Sequence, residues 1–151
     1  MTGGGGKEEE TLSVIQSVSR ISFAVGDLDK ARAFFENVLG AKFGPVEVVE
    51  DFHFRYQPFT LGGVEMQLLC PTDPQSVISR FLMKRQQGFH HVTCDVKDLD
   101  AAIAELRAKG VDVTSRHDYQ KTFEGYRVRE AFIHPKDAFG ILFHLVERKK
   151  A

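Results

Sequence analysis

The sequence predicts an α+β fold built from two tandem β-α-β-β-β modules, and three observations carry that expectation. Residues 19–29 and 90–100 superimpose at one offset of 71 positions (98 − 27), which puts Val96 on Val25, Asp98-Leu99-Asp100 on Asp27-Leu28-Asp29 and Ala102 on Ala31. A second pair matches near the ends of the halves at an offset of 77 (144 − 67), with Gly140 on Gly63, His144 on Gln67 and Leu145 on Leu68. In both copies an alternating apolar pattern turns into a helical one straight after an aspartate.

Residues 18–25 alternate. Ile21, Phe23 and Val25 share one face and Arg20, Ser22 and Ala24 the other, as in a strand packed on one side. Asp27 suits a helix N-cap. Leu28, Ala31, Phe35 and Val38 then form one apolar stripe, which Gly40 ends as a left-handed residue would. Strands are expected over 42–49, interrupted at Gly44-Pro45, over 52–61 and, after the turn signal Gly62-Gly63, over 64–69. On the last of these Glu65, Gln67 and Leu69 oppose Val64, Met66 and Leu68. Residues 71–88 connect the halves through a short amphipathic helix with Val77, Ile78, Phe81 and Leu82, too apolar for a floppy linker.

The second copy predicts a strand over 90–96, then a helix capped by Asp98 that carries Leu99, Ile103 and Leu106 and ends at Gly110. A short strand over 111–115, a polar loop near 117–125 and a strand over 128–134 follow. After a turn at 135–139 comes a strand over 140–147, on which Leu142, His144 and Val146 share a face. Residues 148–151 read as a charged end. The growth of the offset by six positions places an insertion in the 115–127 loop.

The chain has 151 residues, a net charge of −1 and 42% hydrophobic residues, enough for one domain whose halves share a core. The balanced charge offers no basic footprint for nucleic acid. No apolar run approaches the roughly 20 residues that a membrane-crossing helix needs. Residues 1–10 are Gly-rich, then acidic, unlike a secretory signal or an Arg-rich transit peptide. Residues 1–14 therefore read as a disordered tail before a single domain over 15–148. That domain divides into module 1 near 17–71, a linker helix near 72–88 and module 2 near 89–148. Cys70 and Cys94 sit in apolar strand patterns, which points to buried free thiols and a cytoplasmic, reducing setting.

Arg20 and His91 hold equivalent places on the opening strands, and Gln67 and His144 on the closing strands. By strand parity all four avoid the helix-packing faces. If the halves close around one cleft, the four side chains meet there, and two ligand positions per half would build a four-position metal site. A single strand histidine is more often structural than catalytic, but repeat equivalence of four positions favours His91 and His144. His90 is one residue out of phase and is expected on the packing side. His134 reads as structural, while His53 and His117 have only proximity in their favour. For Arg20 the bland alternative is an ion pair with Glu65 or Asp95. For Glu50 and Asp51 it is a solvated loop, and for Phe54, Tyr56 and Phe59 it is core packing.

Four segments carry a wider resemblance: Ala24-Val25-x-Asp27-Leu28; Leu61-Gly62-Gly63-x-Glu65-x-Gln67-Leu68-Leu69-x-Pro71; Gly88-Phe89-His90-His91-Val92; and Phe132-Ile133-His134-Pro135-Lys136. In this order, over residues 17–148, they resemble the vicinal-oxygen-chelate (glyoxalase/bleomycin resistance/dioxygenase) superfamily, with its methylmalonyl-CoA epimerase-like branch nearest. The resemblance implies a curved, open, mostly antiparallel sheet around a cleft. It also implies a divalent metal (Co, Zn, Mn or Ni) at the positions of Arg20, Gln67, His91 and His144. Gln67 and His91 match that set, and His144 stands where the family has a carboxylate but can still bind a borderline metal. Arg20 departs from it, because a guanidinium stays protonated and has no lone pair to give.

Two readings follow. Gln67, His91 and His144 hold a metal with Arg20 turned away, or no metal binds and Arg20 replaces it as the electrophile, the slightly favoured alternative. The family chemistry removes a proton beside a carbonyl and returns it on the other face. Its bases map to His144 and, counting back from Gly62-Gly63, to Glu50 or Asp51. The implied function is an epimerase or racemase acting on a small carbonyl compound through an enolate-like intermediate. Its rivals are a non-catalytic binder of the resistance type and a metal-dependent lyase or dioxygenase. Asp137-Ala138-Phe139 puts a ring where the family has small residues, which favours another small carbonyl compound, such as an aromatic ketone, over methylmalonyl-CoA. A homodimer is expected by analogy alone.

Overall fold

The two aspartates singled out by the repeat both cap helices. Asp27 accepts from the Lys30 N–H at 3.0 Å before α1 (Leu28–Asn37), and Asp98 accepts from the Ala101 N–H at 3.1 Å before α3 (Leu99–Ala108). Past each helix end a glycine takes the left-handed backbone, Gly40 at φ 78° and Gly110 at φ 84°. The computed structural model describes residues 13–151, so the tail expected over 1–14 lies outside the described residues up to residue 12. The remaining elements are β1 (Ser17–Ala24), β2 (Lys42–Phe43), β3 (Glu47–Val49), β4 (Phe54–Leu61), β5 (Val64–Pro71), α2 (Val77–Arg85), β6 (Gly88–Asp95), β7 (Val113–Phe123), β8 (Tyr126–Ile133) and β9 (Phe143–Lys150). The order is that of the expected tandem β-α-β-β-β modules, and most strand pairs are antiparallel.

Residue contacts divide the chain into two units, residues 19–93 and residues 94–151 with the segment up to residue 18. In the 19–93 unit the strands run in the order β2-β4-β5-β1-β6, with β3 also on β4. Helix α1 covers one face. Val25, Leu28, Phe59, Leu68 and Cys70 are buried there, with Phe23, Phe35, Phe43 and Met66 packed against them. The Phe59 ring stacks on Phe43 at 4.6 Å and meets Phe35 at 5.1 Å. These residues have the parity that the sequence assigned to the packing side.

In the other unit β7, β8 and β9 form an antiparallel meander, with α3 against it. Leu99, Ala102 and Ile103 of the helix and Val113, Ala131 and Leu145 of the strands are buried. Glu147, 4% exposed, accepts the Leu99 N–H at 2.9 Å and ties the start of α3 to β9. Arg129 bonds both Glu147 (3.3 Å) and Asp100 (2.8 Å). Its guanidinium is held further above its ordinary range, chiefly by the hydrogen bond to Asp100.

The interruption expected at Gly44-Pro45 is present: β2 and β3 are separate, Pro45 brings no N–H, and the Gly44 N–H bonds Pro58 O at 2.9 Å beside it. Two expectations need correcting. The polar loop near 117–125 is mostly strand: β7 runs to Phe123 and shifts register twice against β8, between Thr114 and His117 and between Asp118 and Thr122, which takes up three extra residues on β7. The closing strand begins at Phe143 and takes in the charged end, pairing Tyr126 with Lys150. No helix among the described residues is long and apolar enough to cross a membrane.

Candidate active site

Each unit carries a polar cluster on the strand face away from its helix. In the 19–93 unit, parallel pairing sets Ser22 opposite Gln67 and Phe23 opposite Leu68. Phe23 and Leu68 belong to the core, so Arg20, Ser22 and Gln67 take the other face. There Arg20 Nη1 donates to Gln67 Oε1 at 3.0 Å, and Gln67 is only 8% exposed. Tyr56 and Pro58 of β4 pair with Leu69 and Gln67, share this face and are buried. Glu47 of β3 pairs with Tyr56 and follows the same parity.

His91, on β6, is 5% exposed, and its Nδ1 lies 2.8 Å from Nδ1 of His90, so one ring donates and the other accepts. His90 also meets Phe81 of α2 edge-on at 4.6 Å. Glu50 and Asp51 occupy the exposed 3-10 turn Glu50–Phe52 after β3.

In the 94–151 unit, Ala131 pairs with Leu145 on the helix side, so their neighbours Glu130, Phe132 and His144 face the other way. His144 Nε2 lies 2.7 Å from Glu130 Oε1, and Tyr119 donates its hydroxyl proton to Glu130 Oε2 at 2.9 Å. Phe132 stacks on the His144 ring at 4.7 Å with 16° between planes. Glu130 is 6% exposed, so this carboxylate is desolvated and strongly engaged. The sequence singled out His144 as a candidate but neither Glu130 nor Tyr119. Glu130 left a signal, a charge in the otherwise apolar row Tyr126, Val128 and Phe132; Tyr119 fell where a loop was expected.

The other candidates have local partners. His134 accepts the Lys136 N–H at 3.1 Å and caps the 3-10 turn Pro135–Asp137. His53 pairs with Asp73 at 2.8 Å, and His117 packs edge-on to Tyr119 at 4.6 Å. Asp95, one ion-pair partner considered for Arg20, is bonded by Arg148 at 2.6 Å. Phe139 is 99% exposed, in a turn where its backbone is left-handed (φ 58°).

The donor chemistry of the 19–93 cluster does not fit a divalent ion. Gln67 Oε1, the atom that would ligate it, already accepts from a guanidinium. A dication held there would face a unit positive charge about 5 Å away, a repulsion of about 7 kcal/mol at an effective dielectric near 20.

A sequence model of the glyoxalase/bleomycin resistance protein/dioxygenase superfamily matches residues 19–129. The mitochondrial methylmalonyl-CoA epimerase of Bos taurus is 33% identical over 129 residues, 85% of this chain and 72% of that protein. The crystal structure of methylmalonyl-CoA epimerase from Mycobacterium tuberculosis superposes with a TM-score of 0.81 at 34% identity, covering 92% of both chains. A Streptomyces coelicolor methylmalonyl-CoA epimerase variant in complex with 2-nitronate-propionyl-CoA superposes with a TM-score of 0.77 at 31% identity, covering 88% of this chain and 94% of that one.

Proposed function

Since the chain belongs to the glyoxalase/bleomycin resistance protein/dioxygenase superfamily, on its methylmalonyl-CoA epimerase-like branch, and is an epimerase-type isomerase, we propose that it works without a metal, with Arg20 as the electrophile. The observation that carries the proposal is the 3.0 Å bond from Arg20 Nη1 to Gln67 Oε1. It holds a cation, with further N–H donors, at a position that the family resemblance gives to a metal ligand.

The reaction moves a proton at a carbon next to a carbonyl through an enolate-like intermediate. The C–H bond breaks, its electron pair passes into the carbonyl, and negative charge gathers on the oxygen. Arg20 stabilises that oxygen by charge-assisted hydrogen bonds, which gain strength where water is excluded. Gln67 keeps the guanidinium in place by occupying one of its donors. His144 is one proton carrier, as an imidazole suits work near neutral pH. Inversion needs a second carrier on the opposite face of the carbon, and Glu50 or Asp51 supplies it. No net proton is consumed.

The acyl-CoA compound bound by the Streptomyces coelicolor enzyme supports a CoA thioester with an acidic α-hydrogen as substrate. The ring of Phe139, 99% exposed, fills no interior space and sets no internal limit on acyl size. The test is incubation with one epimer of methylmalonyl-CoA in D2O, using protein dialysed against chelator and checked by elemental analysis. Expected are deuterium at the α-carbon and appearance of the other epimer. Absence of both with the thioester, or dependence on added Co2+ or Zn2+, overturns the proposal.

A further inference from the structure

Within the 94–151 unit the surroundings of His144 are more specific than proton transfer by a lone imidazole requires. From them we infer that Glu130 and Tyr119 are positioning residues that keep a hydrogen on His144 Nε2, so that the proton exchanged with substrate travels on Nδ1. The inference rests on the reading of His144 as a proton carrier.

Three contacts converge. The 2.7 Å approach of His144 Nε2 to Glu130 Oε1 has the length of a charge-assisted bond. An ionised carboxylate only accepts, so Nε2 must supply the hydrogen. Tyr119 donates to the second oxygen, Oε2, at 2.9 Å. That bond engages the oxygen His144 leaves and fixes the plane of the Glu130 carboxylate. Phe132 stacks on the imidazole with 16° between planes, which limits ring rotation about χ2. Glu130, His144 and Phe132 lie on adjacent strands in unbroken register, with Phe132 opposite His144. The nitrogen bonded by an outer carboxylate sets which nitrogen is left to act.

The consequence is a division of labour on one ring. In the neutral imidazole the lone pair lies on Nδ1; in the protonated imidazole both nitrogens carry hydrogen, and Nε2 keeps its bond to Glu130. Taking and giving the substrate proton therefore changes Nδ1 only. Glu130 needs no movement during turnover and never holds the substrate proton itself.

The test uses full-length protein labelled with 15N-histidine, without substrate, near pH 9 and so above the ordinary imidazole range. The His144 signals are assigned by their loss in His144→Ala. Expected is one tautomer, with Nε2 protonated and Nδ1 bare. Glu130→Leu should give a mixture of tautomers and lower kcat for α-deuterium exchange by about 10²-fold, the scale of a misplaced general base, with KM nearly unchanged. Glu130→Gln retains an acceptor and should fall between wild type and Glu130→Leu, and Tyr119→Phe should lose less again. If Glu130→Leu does not fold, the Glu130→Gln and Tyr119→Phe spectra and rates decide by the same ordering. A wild-type ring protonated on Nδ1 overturns the inference. So does a Glu130 series with wild-type spectra and rates while His144→Ala abolishes exchange. Full exchange by His144→Ala instead overturns the proton-carrier reading, and the inference with it.

Discussion

Replacing Arg20 by methionine keeps much of the unbranched stem and removes the cation. If Arg20 stabilises the enolate oxygen, the loss equals that of a fixed oxyanion donor, about 2.7–4 kcal/mol or 10²–10³ in kcat. The structure also sets a stability cost. Gln67, 8% exposed, loses the 3.0 Å donor to its Oε1, and an unmet buried acceptor costs about 1–3 kcal/mol. For a chain of this size that lowers Tm by roughly 2–4 °C per kcal/mol, leaving a folded protein on which activity can be measured. Arg20→Lys keeps the charge but not the planar fork, and should lie between the two, about tenfold below wild type. The assay is deuterium incorporation into methylmalonyl-CoA, followed by mass spectrometry, on protein freed of metal. Exchange by Arg20→Met within about threefold of wild type would refute the electrophile role, because no oxyanion donor is that dispensable.

Among the carboxylates, Glu50→Gln and Asp51→Asn should separate. One should lower epimer interconversion by about 10²-fold and the other leave it nearly unchanged; two silent variants would move the second carrier to another group, with Glu47 and Tyr56 next to be tried. Burial raises the Cys94 thiol above its ordinary value of 9.0. The unfolded chain thus gives up that proton first, so folding stability should decline as pH climbs past 9.0, and Cys94→Ala should flatten the decline in urea titrations at increasing pH. Native Cys94 should also resist thiol reagents until the protein is unfolded. Glu147→Ala removes the acceptor for the Leu99 N–H and one partner of Arg129, and should cost about 2 kcal/mol in urea unfolding while leaving KM unchanged.

The repeat was legible because the same physics acts twice. Asp27 and Asp98 cap helices, Gly40 and Gly110 end them, and the parity of Phe23, Val25 and Leu68 names the packed face. The same parity puts Arg20 and Gln67 on one face of the 19–93 unit, but only coordinates reveal the hydrogen bond between them. The strand continuing from residue 116 to 123 was hidden because its polar alternation, Arg116, Asp118, Gln120, looks like loop composition. The two charged side chains among them are satisfied by ion pairs, Arg116 with Asp100 and Asp118 with Arg116 and Arg129. Once the segment was read as loop, Tyr119 had no face, and the acceptor it serves on β8 went unnoticed.

The meander of the 94–151 unit treats its two seams differently. β8 and β9 match residue for residue from Tyr126–Lys150 to Ile133–Phe143, whereas β7 slips twice against β8. A slip of one position along the continuous seam would swing His144 to the opposite side of the sheet. On the bulged seam, gained or lost residues are taken up as local kinks. Descendants of this chain can therefore lengthen or trim the outer arm, and reshape whatever it covers, while the imidazole stays in phase.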